Sequence, residues 1–350
     1  MNGSTPKRRE NGTKPKVLVT GGSGFIGQHL VAALSAQKQS VRVLDVQQPP
    51  SAVWPTEFIR GSILDPDAVR RAMDGVDIVY HLAGIPHFWT ADRADFERVN
   101  HRGTELVLAA AAERNVSRFV HCSTEAILFP PPGDDAEKCL SLEDMPGPYT
   151  RSKFLAEASA LQAARNGMPV VIVNPTVPIG PGDHNRTAPT AMLSLFIEKP
   201  PMFIMDCILN LVDVRDVATG MILAASRGQI GERYILGGEN VTVRELVRRM
   251  DLVCGRKTTS FAIPAFAALA TGFAAEWFAN AVSQKRPLTT AEAVRVALRS
   301  IPLSIDKTCD DLGYRPKPID PALAETIQWL LRPNTAGPVR QSIGSVSVSR

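Results

Sequence analysis

Tyr149 and Lys153 are the two residues of this chain whose types and spacing most directly suggest chemistry. They lie four positions apart, so on a helix they occupy the same face. A phenol has an ordinary pKa of about 10 and is a poor base at neutral pH. A neighbouring ammonium group favours the phenolate and lowers that pKa. We therefore expect Tyr149 to act as a general acid and base, with Lys153 lowering its pKa.

Two hydroxyl side chains, Ser123 and Thr124, directly follow the apolar run 118–122. At the end of a strand they could hydrogen-bond a substrate oxygen while Tyr149 moves its proton. An incidental tyrosine and lysine on a surface helix is the alternative interpretation. The order of three elements, a glycine loop, Ser123-Thr124 and then Tyr149 with Lys153, favours the catalytic one.

The glycine loop has the spacing Gly-x-x-Gly-x-x-Gly, formed by Gly21, Gly24 and Gly27. It follows the apolar run 16–20 and precedes a helical pattern. Glycines allow a tight turn and the close approach of a pyrophosphate, and the helix then offers free N–H groups and a positive dipole. A simple turn would need only one glycine. The loop therefore predicts a dinucleotide site.

Asp45 ends the second apolar run, about 20 residues beyond the glycine loop, as expected for a ribose-binding carboxylate. Such a carboxylate accepts hydrogen bonds from the adenosine ribose and repels a 2′-phosphate. The alternative is a solvent-exposed aspartate at a strand end. Arg42 is expected to share the face of Asp45, where it could weaken the discrimination. Asp45 thus favours NAD over NADP.

The elements that must position these residues alternate between short apolar runs and longer helical patterns. Strands are predicted at 16–20, 41–45, 77–82, 118–122 and 169–173, and helices at 25–37, 65–73, 104–114 and 149–165. This rhythm predicts an α/β fold, a doubly wound parallel sheet of the Rossmann type. Ligands of such sheets bind at the carboxyl ends of the strands, where the glycine loop, Asp45, Gly84, Thr124 and Pro175 all fall.

The chain divides by pattern into a dinucleotide-binding part and a smaller lobe. We predict a Rossmann domain over 15–180, rejoined by 209–240. A mostly helical substrate lobe is predicted over 181–208 and 241–332. The polar ends 1–14 and 333–350 are predicted to be disordered.

Residues 261–281 are apolar enough to raise the question of a transmembrane span. A proline, a glycine, a glutamate and an asparagine within them argue against one. Phe266, Leu269, Phe273 and Trp277 fall on one helical face. We favour a lid helix packed on the smaller lobe, and leave peripheral attachment to a membrane open as an alternative.

Composition bounds the class of protein. The 350 residues are 44% hydrophobic and 21% charged, as in globular proteins, and a net charge of +4 is too small to indicate nucleic-acid binding. The five cysteines have no spacing typical of a metal site or a redox pair, so we predict reduced thiols, no metal and a cytoplasmic location. The basic N-terminus has no apolar run behind it, so no secretion signal is predicted.

The chain resembles the extended short-chain dehydrogenase/reductase superfamily, also described as the NAD-dependent epimerase/dehydratase family. The likeness runs over about residues 15–331, and is nearest to the hopanoid-associated sugar epimerases, dihydroflavonol-reductase-like proteins and hydroxysteroid dehydrogenases. The residues that carry it are the glycine loop, Asp45, 81–84, Asn100, Ser123-Thr124, Tyr149, Lys153, Asn174-Pro175, 231–240 and 311–316.

The resemblance implies a cofactor-binding role for a larger set of residues. Pyrophosphate would be bound by Gly21, Gly24, Phe25, Ile26 and Gly27. Adenine and ribose would be lined by Ile63, Leu82, Ala83 and Gly84. The nicotinamide end would be met by Tyr149, Lys153 and the backbone of Pro175 and Val177, with Lys153 also holding the ribose, and Asn100 would shape the loop near the active site. By analogy with relatives, a homodimer is expected.

Several positions depart from the family pattern. Ser62 stands where many relatives have an aspartate that meets adenine. Asn210 stands where nucleotide-sugar enzymes often have an arginine, which weighs against a nucleotide-sugar substrate. Asp213 and Arg215 replace the usual histidine and aspartate, without a functional explanation from the sequence.

Two enzymatic functions use the same Tyr149, Lys153 and Thr124. The first is hydride transfer between NAD(H) and a secondary alcohol or ketone on a fairly apolar small molecule. The second is a sugar epimerase or dehydratase that regenerates its NAD; Arg186 and Lys199 are its only obvious phosphate ligands on the substrate side. A non-catalytic dinucleotide sensor would be expected to have lost the Tyr-Lys pair, which this chain keeps.

Overall fold

The computed structural model of the protein describes residues 15–48, 55–131, 140–200 and 202–332. The terminal segments predicted to be disordered, and Cys139, lie outside these ranges. The other four cysteines are free thiols.

The centre of the fold is a seven-stranded parallel sheet. Its strands are β1 (Lys16–Thr20), β2 (Ser40–Asp45), β3 (Glu57–Arg60), β4 (Ile78–His81), β5 (Arg118–Cys122), β6 (Val170–Pro175) and β10 (Arg233–Leu236). They lie in the order β10-β6-β5-β4-β1-β2-β3. The inner strands are buried along almost their whole length and mostly apolar because helices cover both faces of the sheet. The predicted doubly wound Rossmann fold is confirmed.

Helices connect the strands on both sides of this sheet. They are α1 (Phe25–Ala36), α2 (Pro66–Met73), α3 (Gly103–Glu113), α4 (Pro148–Arg165) and α6 (Val214–Arg227). Helices α1 and α6 bury one hydrophobic core against the sheet, and α2, α3 and α4 bury another on the opposite face. Local signals set the starts of these helices: Asp65 caps α2 by accepting the N–H of Asp67, and Pro66 and Pro148 occupy first-turn positions.

The remaining elements lie mainly towards the C-terminus. A three-stranded sheet contains β7 (Val177–Ile179), β9 (Ile208–Asp213) and β11 (Glu239–Thr242), and β8 (Phe203–Ile204) pairs with β12 (Phe261–Ala262). The helices are α5 (Ala188–Glu198), α7 (Val243–Cys254), α8 (Ala265–Phe278), α9 (Ala291–Leu298), α10 (Asp306–Leu312) and α11 (Ile319–Leu330). The division into two lobes at the boundaries given above stays a prediction.

The elements of the Rossmann part that were not predicted include an edge strand and a short helical segment. Strand β3 is a polar, partly exposed edge strand, so it carries no apolar run. A π-helical segment, Phe96–Arg102, precedes α3 and turns Asn100 into the interior. Segments of this type are rare and are frequently found at functional sites.

Asp213 and Arg215, which the sequence left unexplained, have a structural role. The Asp213 carboxylate accepts the backbone N–H of Arg215 at 2.8 Å, at the start of α6, and pairs with its guanidinium at 2.6 Å. Arg215 also pairs with Glu325 of α11 at 2.9 Å. The substituted pair therefore ties β9 and α6 to the C-terminal helix.

Helix α8 packs through its small residues. Ala268 and Gly272 are buried, whereas Phe266, Phe273 and Trp277 are exposed. That this helix is a lid on a smaller lobe stays a prediction. The small residues allow a closer approach to the body of the protein, because Gly272 lies against the backbone of Ala291.

Candidate active site

The glycine loop fits a dinucleotide pyrophosphate. Gly21 has a φ of +72°, and an added Cβ there would lie 2.6 Å from the backbone nitrogen of Ala83. A Cβ on Gly27 would overlap the Gly21 carbonyl oxygen. Gly24 begins α1 without a capping side chain, so the first N–H groups of that helix stay free of side-chain partners. Only glycines allow this tight loop against the helix N-terminus.

Asp45 lies beside this loop at the carboxyl end of β2. Its carboxylate accepts N–H groups from Ser23 at 2.9 Å and Gln47 at 3.0 Å. Burial raises the pKa of Asp45, and these backbone hydrogen bonds oppose the rise. The position and acceptor chemistry fit a ribose diol, as the spacing predicted.

Arg42 does not share the surroundings of Asp45, contrary to prediction. The two residues are three apart, so they point to opposite faces of the strand. The Arg42 guanidinium is buried and donates to the carbonyls of Ala72 and Asp74, each at 2.7 Å, and pairs with Glu57 at 2.8 Å. It therefore serves to attach α2 to the sheet.

The predicted adenine and ribose residues cluster at the ends of β3 and β4. Ala83 packs behind Gly21, and Leu82 is joined by its N–H to the Thr20 carbonyl at 3.0 Å. Ile63 is buried in the core against Gly103. Ser62 accepts the N–H of Leu64 at 3.1 Å, so it shapes this turn. Their contacts with the cofactor stay predictions.

Tyr149 lies in the first turn of α4, within an apolar cluster. Its ring contacts Phe88 edge-on, at 4.8 Å between centroids, and lies 6.1 Å from Phe96. Its hydroxyl shares a hydrogen bond with the Thr124 side chain, which lowers the pKa of Tyr149, but burial is the larger effect and raises it. In the protein alone, the phenol therefore holds its proton at neutral pH.

Lys153 lies one helical turn beyond Tyr149 and is directed at the end of β5. Its ammonium donates to the Cys122 carbonyl at 2.7 Å, and burial lowers the pKa of Lys153. The pKa of Tyr149 is therefore raised, whereas the sequence analysis expected Lys153 to lower it. The part that Lys153 plays once cofactor is bound stays a prediction.

Ser123 and Thr124 lie at the carboxyl end of β5, as predicted. The Thr124 carbonyl accepts a hydrogen bond from the Asn174 amide at 3.1 Å, and Asn174 also donates to Glu157 at 2.9 Å. This buried pair fixes the backbone of the strand end. In the described part of the chain, the buried Ser123 hydroxyl has no hydrogen-bond partner. It is a polar group suited to contact a bound molecule.

Asn100 connects the loop after β4 to α4. Its side chain accepts the Ile85 N–H at 2.7 Å and donates to the Ser152 hydroxyl at 3.0 Å. Ser152 in turn donates to the Tyr149 carbonyl at 2.7 Å. An added Cβ on Gly84 would lie 2.9 Å from the Asn100 amide oxygen. The family-based expectation that Asn100 shapes this loop has a geometric basis.

Pro175 and Val177 lie where the chain leaves the carboxyl end of β6 and enters β7. Pro175 ends β6 and is buried, and Val177 begins β7 and is partly buried. Their predicted backbone contacts with the carboxamide end of the cofactor stay predictions.

Glu125 is a residue near the reacting groups that the sequence reasoning missed. The Thr124 hydroxyl donates to its carboxylate at 3.3 Å. Removal from water raises the pKa of Glu125 to about 7. Its position directly after Thr124 was visible in the sequence, but its burial was not.

Glu292 is a second missed residue, contributed by α9. Its carboxylate accepts the N–H groups of Tyr149 at 3.2 Å and Thr150 at 2.7 Å, and the Thr150 hydroxyl at 2.8 Å. A buried carboxylate thus satisfies the free donors at the N-terminus of α4. No local pattern could reveal a partner 142 residues away.

Residues 17–237 match the family model described as the NAD dependent epimerase/dehydratase family, and the chain belongs to that family. NAD is accordingly its cofactor, in agreement with the glycine loop and Asp45. The chain is an extended short-chain dehydrogenase/reductase with a Rossmann fold.

Among individual proteins, the chain is similar to a putative dihydroflavonol 4-reductase of Synechocystis sp., with 31% identity over 322 residues, 89% of this chain and 93% of that protein. It is 33% identical over 318 residues to the 4-hydroxy-2-methyl-3-oxo-4-farnesyl-3,4-dihydroquinoline-1-oxide ketoreductase of Stigmatella aurantiaca, covering 85% of this chain and 91% of that one. The crystal structure of gox2253 aligns with a TM-score of 0.76 and 31% identity, over 90% of this chain and 98% of that chain.

Proposed function

We propose that the protein is an NAD-dependent oxidoreductase that interconverts a ketone and a secondary alcohol on a fairly apolar small molecule. The observation that carries this proposal is the Tyr149 phenol, held protonated by burial and joined to the Thr124 hydroxyl. A phenol in that state is a proton donor for an oxygen that gains negative charge. Two of the relatives described above are named as reductases of oxygenated carbon compounds.

The residues divide the work as follows. Tyr149 donates its proton to the carbonyl oxygen in reduction, and removes the hydroxyl proton in oxidation. Thr124, with Ser123 beside it, orients that oxygen. Lys153 holds the ribose and stabilises the phenolate formed when Tyr149 has given up its proton. Bound NAD(H) supplies or accepts the hydride.

The surroundings of Tyr149 support an apolar substrate. Phe96, Phe129 and Val296 are buried with Tyr149, and Phe88 and Ile85 pack against this cluster. Asn210, at the position where a diphosphate-binding arginine is common, is buried: it accepts the Gly238 N–H at 2.8 Å and donates to Asn240 at 2.9 Å. The Asn210 side chain is therefore engaged in hydrogen bonds within the protein.

A sugar epimerase or dehydratase is the second candidate, and Arg286 favours it. This partly buried arginine contacts the His87 ring at 2.8 Å and donates to the Arg186 carbonyl at 2.6 Å. It has no carboxylate partner among the described residues. His87 adjoins Phe88, which contacts Tyr149, so a basic group lies near the site where a substrate phosphate could bind.

The test is to incubate the protein with NAD and two panels, apolar secondary alcohols and nucleotide sugars, and to follow both NADH absorbance and product mass. An alcohol converted with NADH accumulating in equal amount supports the proposal. A sugar converted to a product without net NADH supports the second candidate. Tyr149→Phe is the control for both, because it removes the proton-transferring oxygen; a variant with unchanged turnover would overturn the catalytic assignment.

A further inference from the structure

The outer surface of α8 carries three large aromatic side chains on one helical face. Phe266, Phe273 and Trp277 are separated by seven and four residues, so they project in the same direction. They are 76%, 53% and 67% exposed. Together they form what is here called the aromatic face. Soluble domains normally turn such residues inward, because burying an aromatic ring is strongly favourable.

The opposite side of α8 is the one that packs. It consists of the small residues Ala268, Gly272 and, in the π-helical continuation Ala279–Ser283, Ala279. An added Cβ on Gly272 would lie 2.9 Å from the backbone nitrogen of Ala291. The helix is therefore fixed against α9 through its smallest side chains, which holds its largest apolar ones outward.

The charges around α8 match a negatively charged surface. Glu276 is the only charged residue within 265–283, and its carboxylate points inward to accept the Ala291 N–H at 3.1 Å. Lys257 and Lys285 lie beyond the two ends of the helix and are exposed. Within the described ranges neither lysine forms an ion pair. The exposed side thus presents aromatic rings, one of which, Phe273, has the Arg295 guanidinium over it at 5.2 Å, and exposed lysines follow in the sequence beyond both ends of the helix.

Helix α8 lies along the fold and does not leave it. The stretch Ala265–Ser283 is long and apolar enough, by length and composition, to cross a membrane. However, β12 directly before it pairs with β8, and Asn280 near its end accepts a hydrogen bond from the Trp89 indole at 2.9 Å. Both ends are therefore attached to the same folded body.

We infer that the aromatic face is a docking surface for the headgroup region of an anionic lipid bilayer. Amphipathic helices of this kind insert their aromatic and apolar side chains at the level of the headgroups, and lysines beside them attract anionic lipids. A second copy of the chain suits the surface less well. Pairing the face with itself would join two surfaces of the same charge, with no outward carboxylate from 265–283 to offset their cations.

Docking at this face would place a cleft beside the start of α4 against lipid. This cleft of about 300 Å³ is lined by Phe273, Trp277, Gly147, Pro148 and Glu292, so it joins the aromatic face to the start of α4. An apolar substrate dissolved in the bilayer would meet this cleft without crossing water. That part of the inference rests on the proposed function; the docking itself does not.

The test is sedimentation of the full-length chain with vesicles of phosphatidylcholine alone and with one-quarter phosphatidylglycerol. Phe266→Ser/Trp277→Ser is compared with Leu252→Ser/Leu331→Ser, which removes two equally apolar exposed side chains elsewhere. We expect salt-sensitive binding to the anionic vesicles, weakened at least about tenfold in the first variant and unchanged in the second. Phe266→Ser alone keeps Trp277 as a fluorescent reporter, whose emission should shift to the blue on vesicle binding.

Three outcomes would overturn the inference. They are no sedimentation with either vesicle, equal loss in both double variants, and a concentration-dependent dimer that Phe266→Ser/Trp277→Ser dissociates. NAD binding, measured by the rise in unfolding temperature, is expected to be the same in all variants. Because that readout does not depend on lipid, a failure of docking is distinguishable from a failure of the proposed function.

Discussion

At the scale of single residues, burial controls the titration of the site. It raises the pKa of Tyr149 and of Glu125, and lowers that of Lys153. The negative charge of Glu125 raises the pKa of Tyr149 further. The two residues are therefore coupled, although only one of them forms part of a recognisable motif.

Glu125→Gln should remove a pH dependence of stability. A carboxyl pKa raised from 4.5 to about 7 means that the folded state binds more protons, so stability falls as the pH rises through this window. The shift corresponds to at most about 3 kcal/mol, since the side chain is only partly buried. Urea unfolding at pH 4.5 and pH 8 measures it.

The same variant, Glu125→Gln, should move the pH profile of alcohol oxidation to lower pH, because it removes a negative charge that raises the pKa of Tyr149. An unmoved profile would refute the coupling to Tyr149.

Asp45→Asn should relax the choice of cofactor. Removing the negative charge removes the repulsion of a 2′-phosphate, so affinity for NADP should rise relative to NAD by about tenfold, or ~1.4 kcal/mol. Titration of both cofactors by fluorescence measures the ratio. Arg42→Gln is the matched control: it should lower the unfolding temperature, because it breaks the attachment of α2, and leave the ratio unchanged.

At the scale of elements, the start of α4 is held from two sides. Asn100 reaches it through Ser152 from the loop after β4, and Glu292 reaches its free N–H groups from α9. Tyr149 lies between these attachments. Its orientation therefore depends on a helix that belongs to the C-terminal part of the chain.

Glu292→Gln should impair turnover more than NAD binding. The amide keeps the size of the side chain but loses the charge that the helix N-terminus favours, which costs about 1 kcal/mol of stability. We expect kcat to fall several-fold with the KM for NAD nearly unchanged. Glu245→Gln, at the first turn of α7, is the matched control and should leave kcat alone. Equal kinetic losses in the two variants would mean a general loss of stability.

The sequence was informative wherever a pattern is local. The buried strands, the bounds of the helices and the spacing of Tyr149 and Lys153 are all short-range features, and the structure has them within a residue or two. Glu292 and Arg42 were missed or misplaced because their partners lie far along the chain or on the other face of a strand. The orientation of α8 could not be predicted, because its apolar residues lie all around the helix and the packed side is chosen by size.

At the scale of the whole molecule, the glycine loop and the aromatic face belong to different parts of the chain. The glycine loop lies at the carboxyl end of β1, an inner strand of the central sheet, whereas α8 is part of the C-terminal helical region. Helix α4 connects the two regions. Its start is bonded to Glu292 of α9 and lines the cleft beside α8. Taken together, the two proposals imply that the enzyme binds NAD from water and its substrate from the lipid bilayer.

Substrate presentation should therefore depend on α8. For an apolar ketone carried in anionic vesicles, Phe266→Ser should lower kcat/KM about tenfold, in line with weaker surface binding. For a short, water-soluble ketone the same variant should match the unmodified protein, because the reacting groups are untouched. NADH consumption measures both. Equal losses with the two ketones would indicate damage to the site itself.

The bond from Glu292 to the start of α4 also has a consequence for the order in which the protein is made. Thr150 leaves the ribosome 142 residues before its carboxylate partner. A nascent chain therefore contains the glycine loop, both hydroxyls and the tyrosine while α4 still lacks its N-terminal partner. We expect the start of α4 to become fixed only when α9 has been made, and α8 is made just before it.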